Sequence, residues 1–132
     1  MSTEPVNSAE TAKTVTHPDR LLTITVDSDD NRDVQSMTAA GEIDSLNATH
    51  LREAVNDVVR GRRPSRVELD LHGVSFLDST GIRVLLECHE DARLMNCGFT
   101  LVDAHPVAYR VLQISGLTDH FGLSSEQTYA NR

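Results

Sequence analysis

The chain has 132 residues, of which 39% are hydrophobic and only 4% aromatic. This length suits one domain with a single core, and without tryptophan that core has to be built from Val, Leu, Ile and Ala, as in helices packed on a sheet. Twelve basic and twenty acidic side chains give a net charge of −8, which disfavours nucleic acid and anionic membranes as partners. Proteins or neutral ligands are the expected partners.

The N-terminal segment, residues 1–19, is predicted to be a flexible tail that precedes a single domain over residues 20–132. It is polar and lacks the apolar run of a signal peptide. No stretch of the chain approaches the roughly 20 apolar residues of a membrane-spanning helix. The two cysteines, Cys88 and Cys97, are too few for a disulfide framework. These features predict a cytoplasmic protein with reduced thiols.

Two strands and a helix are predicted to open the domain. Residues 21–26 alternate between apolar and polar side chains, and a turn rich in Asp and Asn leads to a second strand over residues 33–43. The helix that follows has Asp44 or Ser45 as its N-cap and is closed by Gly61 and Pro64. Five apolar side chains at helical spacing predict its buried face: Leu51, Ala54, Val55, Val58 and Val59.

The second half alternates between strands and helices. A short strand over residues 67–71 is extended after a turn at Gly73, and residues 78–81 open a second helix that ends at Asn96 or Gly98. A strand over residues 99–103 follows. A third helix has Pro106 in its first turn and ends at Gly116, and a short helix is predicted over residues 124–130. The fold class is therefore α/β, with a mixed, mostly parallel sheet of four to five strands and about four helices.

A polar cluster, Asp78-Ser79-Thr80-Gly81, lies where a strand meets a helix, and functional sites gather at this end of parallel strands. The free N–H groups and positive dipole of a helix start favour an anion there. Phosphorylation of Ser79 would add about −1.5 to −2 charges, which the helix tolerates but a docked partner does not. The alternative is that Ser79 or Asp78 is simply the N-cap of the helix.

Five segments carry a resemblance to a known family. Gly41–Asp44 has the form Gly-Glu-Ile-Asp, and Val74–Ile82 contains the Asp-Ser-Thr-Gly cluster. The other three are Leu51–Ala54, Val67–Leu71 and Val111–Leu117. In this order and spacing, over residues 20–127, the chain resembles the STAS domain family and in particular the bacterial anti-sigma factor antagonists.

The resemblance implies a protein switched by phosphorylation. Such antagonists, when unphosphorylated, bind an anti-sigma factor that is itself a serine kinase and so free the sigma factor for transcription. The kinase then phosphorylates the antagonist, here on Ser79 with Thr80 as a backup acceptor, and a serine phosphatase reverses the reaction. The implied partner-binding residues are Asp44, Asp78, Ser79, Thr80 and Gly81. The family also implies a monomer without a cofactor.

Other chemistry finds little support in the sequence. The six histidines have no zinc-site spacing with cysteine, so no metal site is predicted. The basic run from Arg60 to Arg66 lacks the interleaved aromatic residues of a nucleic-acid site and is predicted to be a cationic helix end and a solvated loop. Ser79 is not in a Gly-x-Ser-x-Gly elbow and there is no P-loop, so an enzyme is not expected. The alternative function is that of a STAS accessory subunit of an ABC-type (lipid) transport system.

Overall fold

The computed structural model describes residues 12–16, 21–27 and 33–123. In this part of the chain the elements are β1 (Ala12–Thr16), β2 (Leu21–Val26), β3 (Val34–Ile43), α1 (Ala48–Arg62), β4 (Arg66–Leu77), α2 (Ser79–Leu94), β5 (Gly98–Ala104) and α3 (Pro106–Ile114). The described ranges therefore hold three helices where about four were predicted. The helix predicted over residues 124–130 lies outside them.

The five strands form one sheet in the order β1-β2-β3-β4-β5. The first two pairings are antiparallel and the last two are parallel, so the sheet is mixed, as predicted, but not mostly parallel. The connections on either side of β2 are too short for a crossover, and only antiparallel neighbours can be joined so directly. Helices α1 and α2 supply the crossovers between the parallel strands.

Strand β1 falls within residues 1–19, where a flexible tail was predicted. It pairs with β2 from Ala12 opposite Thr25 to Thr16 opposite Leu21. Its Thr-Val-Thr sequence is rich in β-branched residues, which favour strands, so this part of the prediction is corrected. The remainder of the predicted tail lies outside the described residues.

Strand β4 runs without interruption through Gly73, where a turn was predicted. The register with β3 shifts between Thr38 and Ala40, so that β4 accommodates an extra residue as a bulge. Gly73 then lies opposite Ala40, and a Cβ added to it would be 3.0 Å from the Cβ of Ala40. The glycine thus permits a close approach of two strands rather than a reversal of the chain.

The core is a single cluster of aliphatic side chains between the sheet and the helices. The five residues predicted for the buried face of α1 are all buried, together with Ala48. Helix α1 begins later than predicted, because residues 45–47 form a turn and Asn47 is the N-cap instead of Asp44 or Ser45. It ends at Arg62, and its C-cap Arg63, in the left-handed conformation with φ of 52°, lies between the predicted Gly61 and Pro64.

Candidate functional site

The predicted site residues Asp44 and Asp78 directly follow two neighbouring strands, at the same end of the sheet. Ile43 and Leu77 are the last paired residues of parallel strands β3 and β4, and Asp44 and Asp78 follow them directly. The backbone N–H of Asp78 still donates to the carbonyl of Ile43, at 3.3 Å. The two loops after β3 and β4 therefore begin at the same edge of the sheet, at the carboxyl ends of neighbouring parallel strands.

Asp78 is the N-cap of α2. Its Oδ1 accepts a hydrogen bond from the backbone N–H of Gly81 at 2.9 Å, and its carbonyl accepts one from Ile82 at 3.0 Å. Ser79 is the first residue of the helix and is exposed. Of the two cap alternatives raised by the sequence, the structure selects Asp78, so the Ser79 hydroxyl is not required for starting the helix.

Gly81 brings the first turn of α2 down onto the strand ends. It is buried, and a Cβ added there would lie 2.6 Å from Leu77 Cδ1, 3.0 Å from Ile43 Cγ2 and 3.3 Å from the Ile43 carbonyl oxygen. A residue with a side chain cannot take this place without displacing its neighbours. The close packing at Gly81 therefore fixes the position of the exposed Ser79 and the half-buried Thr80 relative to the sheet.

The hydrogen bonds of Asp44 lie within the loop that this residue begins. Its side chain is buried and accepts a hydrogen bond from the backbone N–H of Leu46 at 2.9 Å, while its own N–H donates to Asn47 Oδ1 at 3.0 Å. The Asn47 amide in turn donates to the carbonyl of Glu42 at 2.8 Å. Asp44 therefore shapes the loop from within.

The sequence patterns gave no role to Asn47, which is completely buried and bonds to the backbone of both Asp44 and Glu42. The available signal was an Asn three residues after an Asp in a segment without helical periodicity, since both residue types bond to nearby backbone in turns.

Two large apolar side chains are exposed at the end of the sheet where the Asp44 and Asp78 loops begin. Leu46, in the loop after β3, is 48% exposed, and Phe76, near the end of β4, is 44% exposed. Phe76 lies opposite the exposed Glu42 in the strand register. Single exposed apolar side chains are common on protein surfaces, but these two follow or end the strands that position Asp44 and Asp78. The sequence pattern assigned no binding role to either residue.

An ionic cluster joins the two helices that follow the site loops. Arg52 on α1 donates to both carboxylate oxygens of Asp91 on α2, at 2.7 and 3.0 Å, and to Glu87 at 3.2 Å. Asn56 adds a further hydrogen bond to Asp91 at 3.1 Å. The Arg52 guanidinium holds the pKa of Asp91 below its usual value. The cluster thus ties α1, which follows the Asp44 loop, to α2, which Ser79 begins.

The cysteines and the basic run are accounted for by packing. Cys88 is buried in α2, and burial raises the pKa of its thiol to about 12; burial also raises the pKa of Cys97. Both thiols are therefore protonated and poorly reactive at neutral pH. Arg62, in the last turn of α1, donates to Gln35, as expected of a cationic helix end, whereas Arg66, which donates to Glu68, begins strand β4 and is not part of a loop.

In the described ranges, no three His, Cys, Asp or Glu side chains are grouped so as to hold a metal ion. None of the helices in these ranges has the length and apolar character needed to cross a membrane.

Several known proteins are similar to this chain in sequence or in fold. Residues 25–131 match the STAS domain. The anti-sigma-F factor antagonist RsfB of Mycobacterium tuberculosis is 33% identical over 102 residues, which cover 77% of this chain and 82% of RsfB. A crystal structure of an anti-sigma factor antagonist from Mycobacterium paratuberculosis has a TM-score of 0.68 at 30% identity, covering 84% of this chain and 91% of that one.

A more distant structure extends the comparison of folds. The phosphorylated form of the Bacillus cell fate determinant SpoIIAA has a TM-score of 0.58 and covers 83% of this chain and 98% of its own. Its sequence identity is 18%, so this similarity shows the fold alone.

Proposed function

This chain belongs to the STAS domain family, and on that basis we propose that it is an anti-sigma factor antagonist switched by phosphorylation of Ser79. In its unphosphorylated form it binds an anti-sigma factor that is also a serine kinase, which frees the sigma factor. Phosphorylation ends the binding, and a serine phosphatase restores it. The protein acts in the cytoplasm as a binding module and not as an enzyme.

The observation that carries the proposal is the position of Ser79. The residue is exposed at the first position of α2, and the capping role there belongs to Asp78. Its hydroxyl is therefore accessible to a kinase without loss of the helix start. Thr80 is half-buried, which supports its place as a backup acceptor.

A phosphate on Ser79 is compatible with the fold. It would lie at a helix N-terminus, where unpaired backbone N–H groups and the helix dipole stabilise an anion by about 0.3–1 kcal/mol at an exposed site. The neighbouring Asp78 carboxylate opposes this with a like charge. We expect the attraction of the helix N-terminus and the repulsion by Asp78 to offset one another. Phosphorylation should therefore change the charge of the surface while the free energy of unfolding stays nearly the same.

The same phosphate is unfavourable beneath a bound partner. We propose that the partner covers Ser79 together with the exposed apolar side chains Leu46 and Phe76, which requires water to be excluded from the site. A phosphoserine brings about −1.5 to −2 charges, and burying such a charge without a matching cation costs several kcal/mol. The buried Asp44 and Gly81 contribute to this surface by fixing its two loops, and Asp78 contributes charge at its centre.

The experiment combines mass spectrometry with binding. The purified chain is incubated with each candidate anti-sigma kinase and ATP, and intact mass and peptide mapping locate the phosphate. We expect one phosphate on Ser79 in the wild type and in Thr80→Ala, and none in Ser79→Ala. Ser79→Ala should keep the affinity of the unphosphorylated protein, and Ser79→Asp should weaken binding while circular dichroism remains unchanged.

Other outcomes separate the alternatives. Binding without any phosphate would indicate an antagonist that is not switched. If neither phosphate nor binding is found with any candidate, the transport-accessory alternative becomes the better hypothesis. If Ser79→Ala and Ser79→Asp both bind like the wild type, the switch is wrong.

A further inference from the structure

The turn after α3, residues 117–123, is held against α2 and β5 by aromatic rings. Phe121 is fully buried and meets Phe99 of β5 edge-on, with ring centroids 6.3 Å apart. His89 on α2 and His120 in the turn have ring centroids only 4.3 Å apart, with planes tilted by 43°. Both imidazoles also meet Phe121 edge-on, at 6.1 and 5.0 Å. The histidine pair is therefore part of the contact that docks the turn.

Backbone hydrogen bonds complete this contact. The N–H of Leu101 in β5 donates to the carbonyl of Phe121 at 2.9 Å, and within the turn the N–H of Leu123 donates to Thr118 at 2.8 Å. Strand β5 is at the edge of the sheet, so the turn covers a donor that would otherwise be open to solvent or to another chain. The docked turn thus protects part of an exposed sheet edge.

Among the residues that the structure describes, the charged groups near the pair lie on α2 and in the turn. On α2, Glu90 and Arg93 are neighbours of His89, but they are paired with each other at 2.7 Å. The turn contributes His120 itself and the exposed Asp119, and the facing part of β5 contributes the uncharged Phe99. Burial lowers the pKa of His89, and the proximity of His120 lowers it further, while Glu90 acts in the opposite direction. One proton is tolerated by this arrangement, whereas a second places two imidazolium ions with ring centroids 4.3 Å apart.

We propose that His89 and His120 form an acid-sensitive clasp, which releases residues 117–123 from α2 and β5 when both imidazoles are protonated. The inference is independent of the Ser79 site. When the turn is released, His89 loses the burial and the His120 neighbour that lower its pKa, and its pKa moves back toward the ordinary histidine value of about 6.5, so the released form takes up more protons than the docked form. The docking is therefore fully present above that pH and weakens below it, by up to about tenfold per pH unit for each additional proton bound.

Hydrogen exchange of the Leu101 amide, followed by NMR in the full chain with EDTA present, tests the clasp. After correction for intrinsic exchange, we expect its protection to fall about fourfold between pH 6.5 and 5.5 in the wild type, while the amide of Leu69 in β4 keeps its protection. His89→Phe keeps an aromatic ring but cannot titrate, so its Leu101 protection should change less than twofold. His50→Gln removes a histidine of α1 and should behave as the wild type.

Three results would overturn the inference. These are constant protection of Leu101 in the wild type, an equal loss at Leu69, which would mean global unfolding, and an unchanged pH dependence in His89→Phe. If His89→Phe does not fold, His120→Phe removes the other member of the pair. Its Leu101 protection should likewise change less than twofold between pH 6.5 and 5.5.

Discussion

Ile43 and Leu77 are paired at the ends of two parallel strands, and a Cβ on Gly81 would collide with both. This relationship places the start of α2 directly on the sheet, next to the loop that begins at Asp44. The exposed position of Ser79 is thus a consequence of buried packing two residues further along the chain. Substitutions in this buried packing should therefore change the position of Ser79 although Ser79 itself is not substituted.

The first prediction concerns Gly81→Ala. We expect it to destabilise the fold by about 1–2 kcal/mol, because overpacking against Ile43 and Leu77 outweighs the better helix propensity of alanine. Gly61→Ala in α1 is the matched control, since nothing lies within 4 Å of its added Cβ. It should be stabilising by up to about 1 kcal/mol. Urea unfolding measures both, and a Gly81→Ala variant as stable as Gly61→Ala would contradict the packing argument.

The second prediction concerns Asn47→Ala. The change removes the bonds that Asn47 makes to the Asp44 N–H and the Glu42 carbonyl, and we expect a loss of about 2 kcal/mol because Asn47 is completely buried and its bond to Asp44 is buried as well. Asn56→Ala is the control, because Asn56 donates to Asp91 at the surface and should cost less than about 1 kcal/mol. Equal losses in the two variants, measured by urea unfolding, would mean that the Asn47 bonds do not support the loop.

Much of the sheet and of α1 could be predicted because their patterns are periodic. The alternation in residues 21–26 and the helical spacing from Leu51 to Val59 each bury one face, and burial of apolar surface is the largest local signal in a sequence. The family resemblance, not periodicity, led to Ser79. Its neighbours in the chain were correctly predicted to open a helix, and the structure selects Asp78 as its cap.

Features that depend on contacts distant in sequence were missed. Gly73 was predicted to form a turn, but its neighbour Ala40 comes from another strand and permits a continuous β4. The late start of α1 depends on the buried Asn47, which bonds to Asp44 and Glu42 rather than extending the helix. No local pattern distinguishes the exposed Phe76 from a core residue, because its exposure is set by a second register shift, between Gly41 and Glu42, which changes the alternation after the buried Val74.

The third prediction is a pH dependence. Arg52 holds the pKa of Asp91 below its usual value, so the folded protein binds a proton there less readily than the unfolded chain. The resulting stability is present above the unfolded pKa of about 3.9 and is lost as the pH falls through the folded value. Because both side chains are partly exposed, the contribution should be at most about 1 kcal/mol.

Urea unfolding at pH 7 and pH 3 tests this assignment. Arg52→Met should lower the free energy of unfolding at pH 7, and the difference from the wild type should shrink at pH 3. Asp91→Asn should remove the same pH-dependent component without removing the arginine. A difference between wild type and Arg52→Met that is independent of pH would show that the arginine acts through packing of its alkyl chain instead.

The fourth prediction concerns the apolar part of the proposed binding surface. Leu46→Asp and Phe76→Asp should each weaken binding of the unphosphorylated protein to its anti-sigma factor by more than about tenfold, since apolar side chains at the centre of an interface dominate its affinity. Leu94→Asp is the control, because Leu94 is 67% exposed but lies at the far end of α2 from Ser79. Isothermal titration calorimetry measures all three. If Leu94→Asp weakened binding as much as Phe76→Asp, the partner would cover the α2 C-terminus as well, and the surface would not be centred on Ser79.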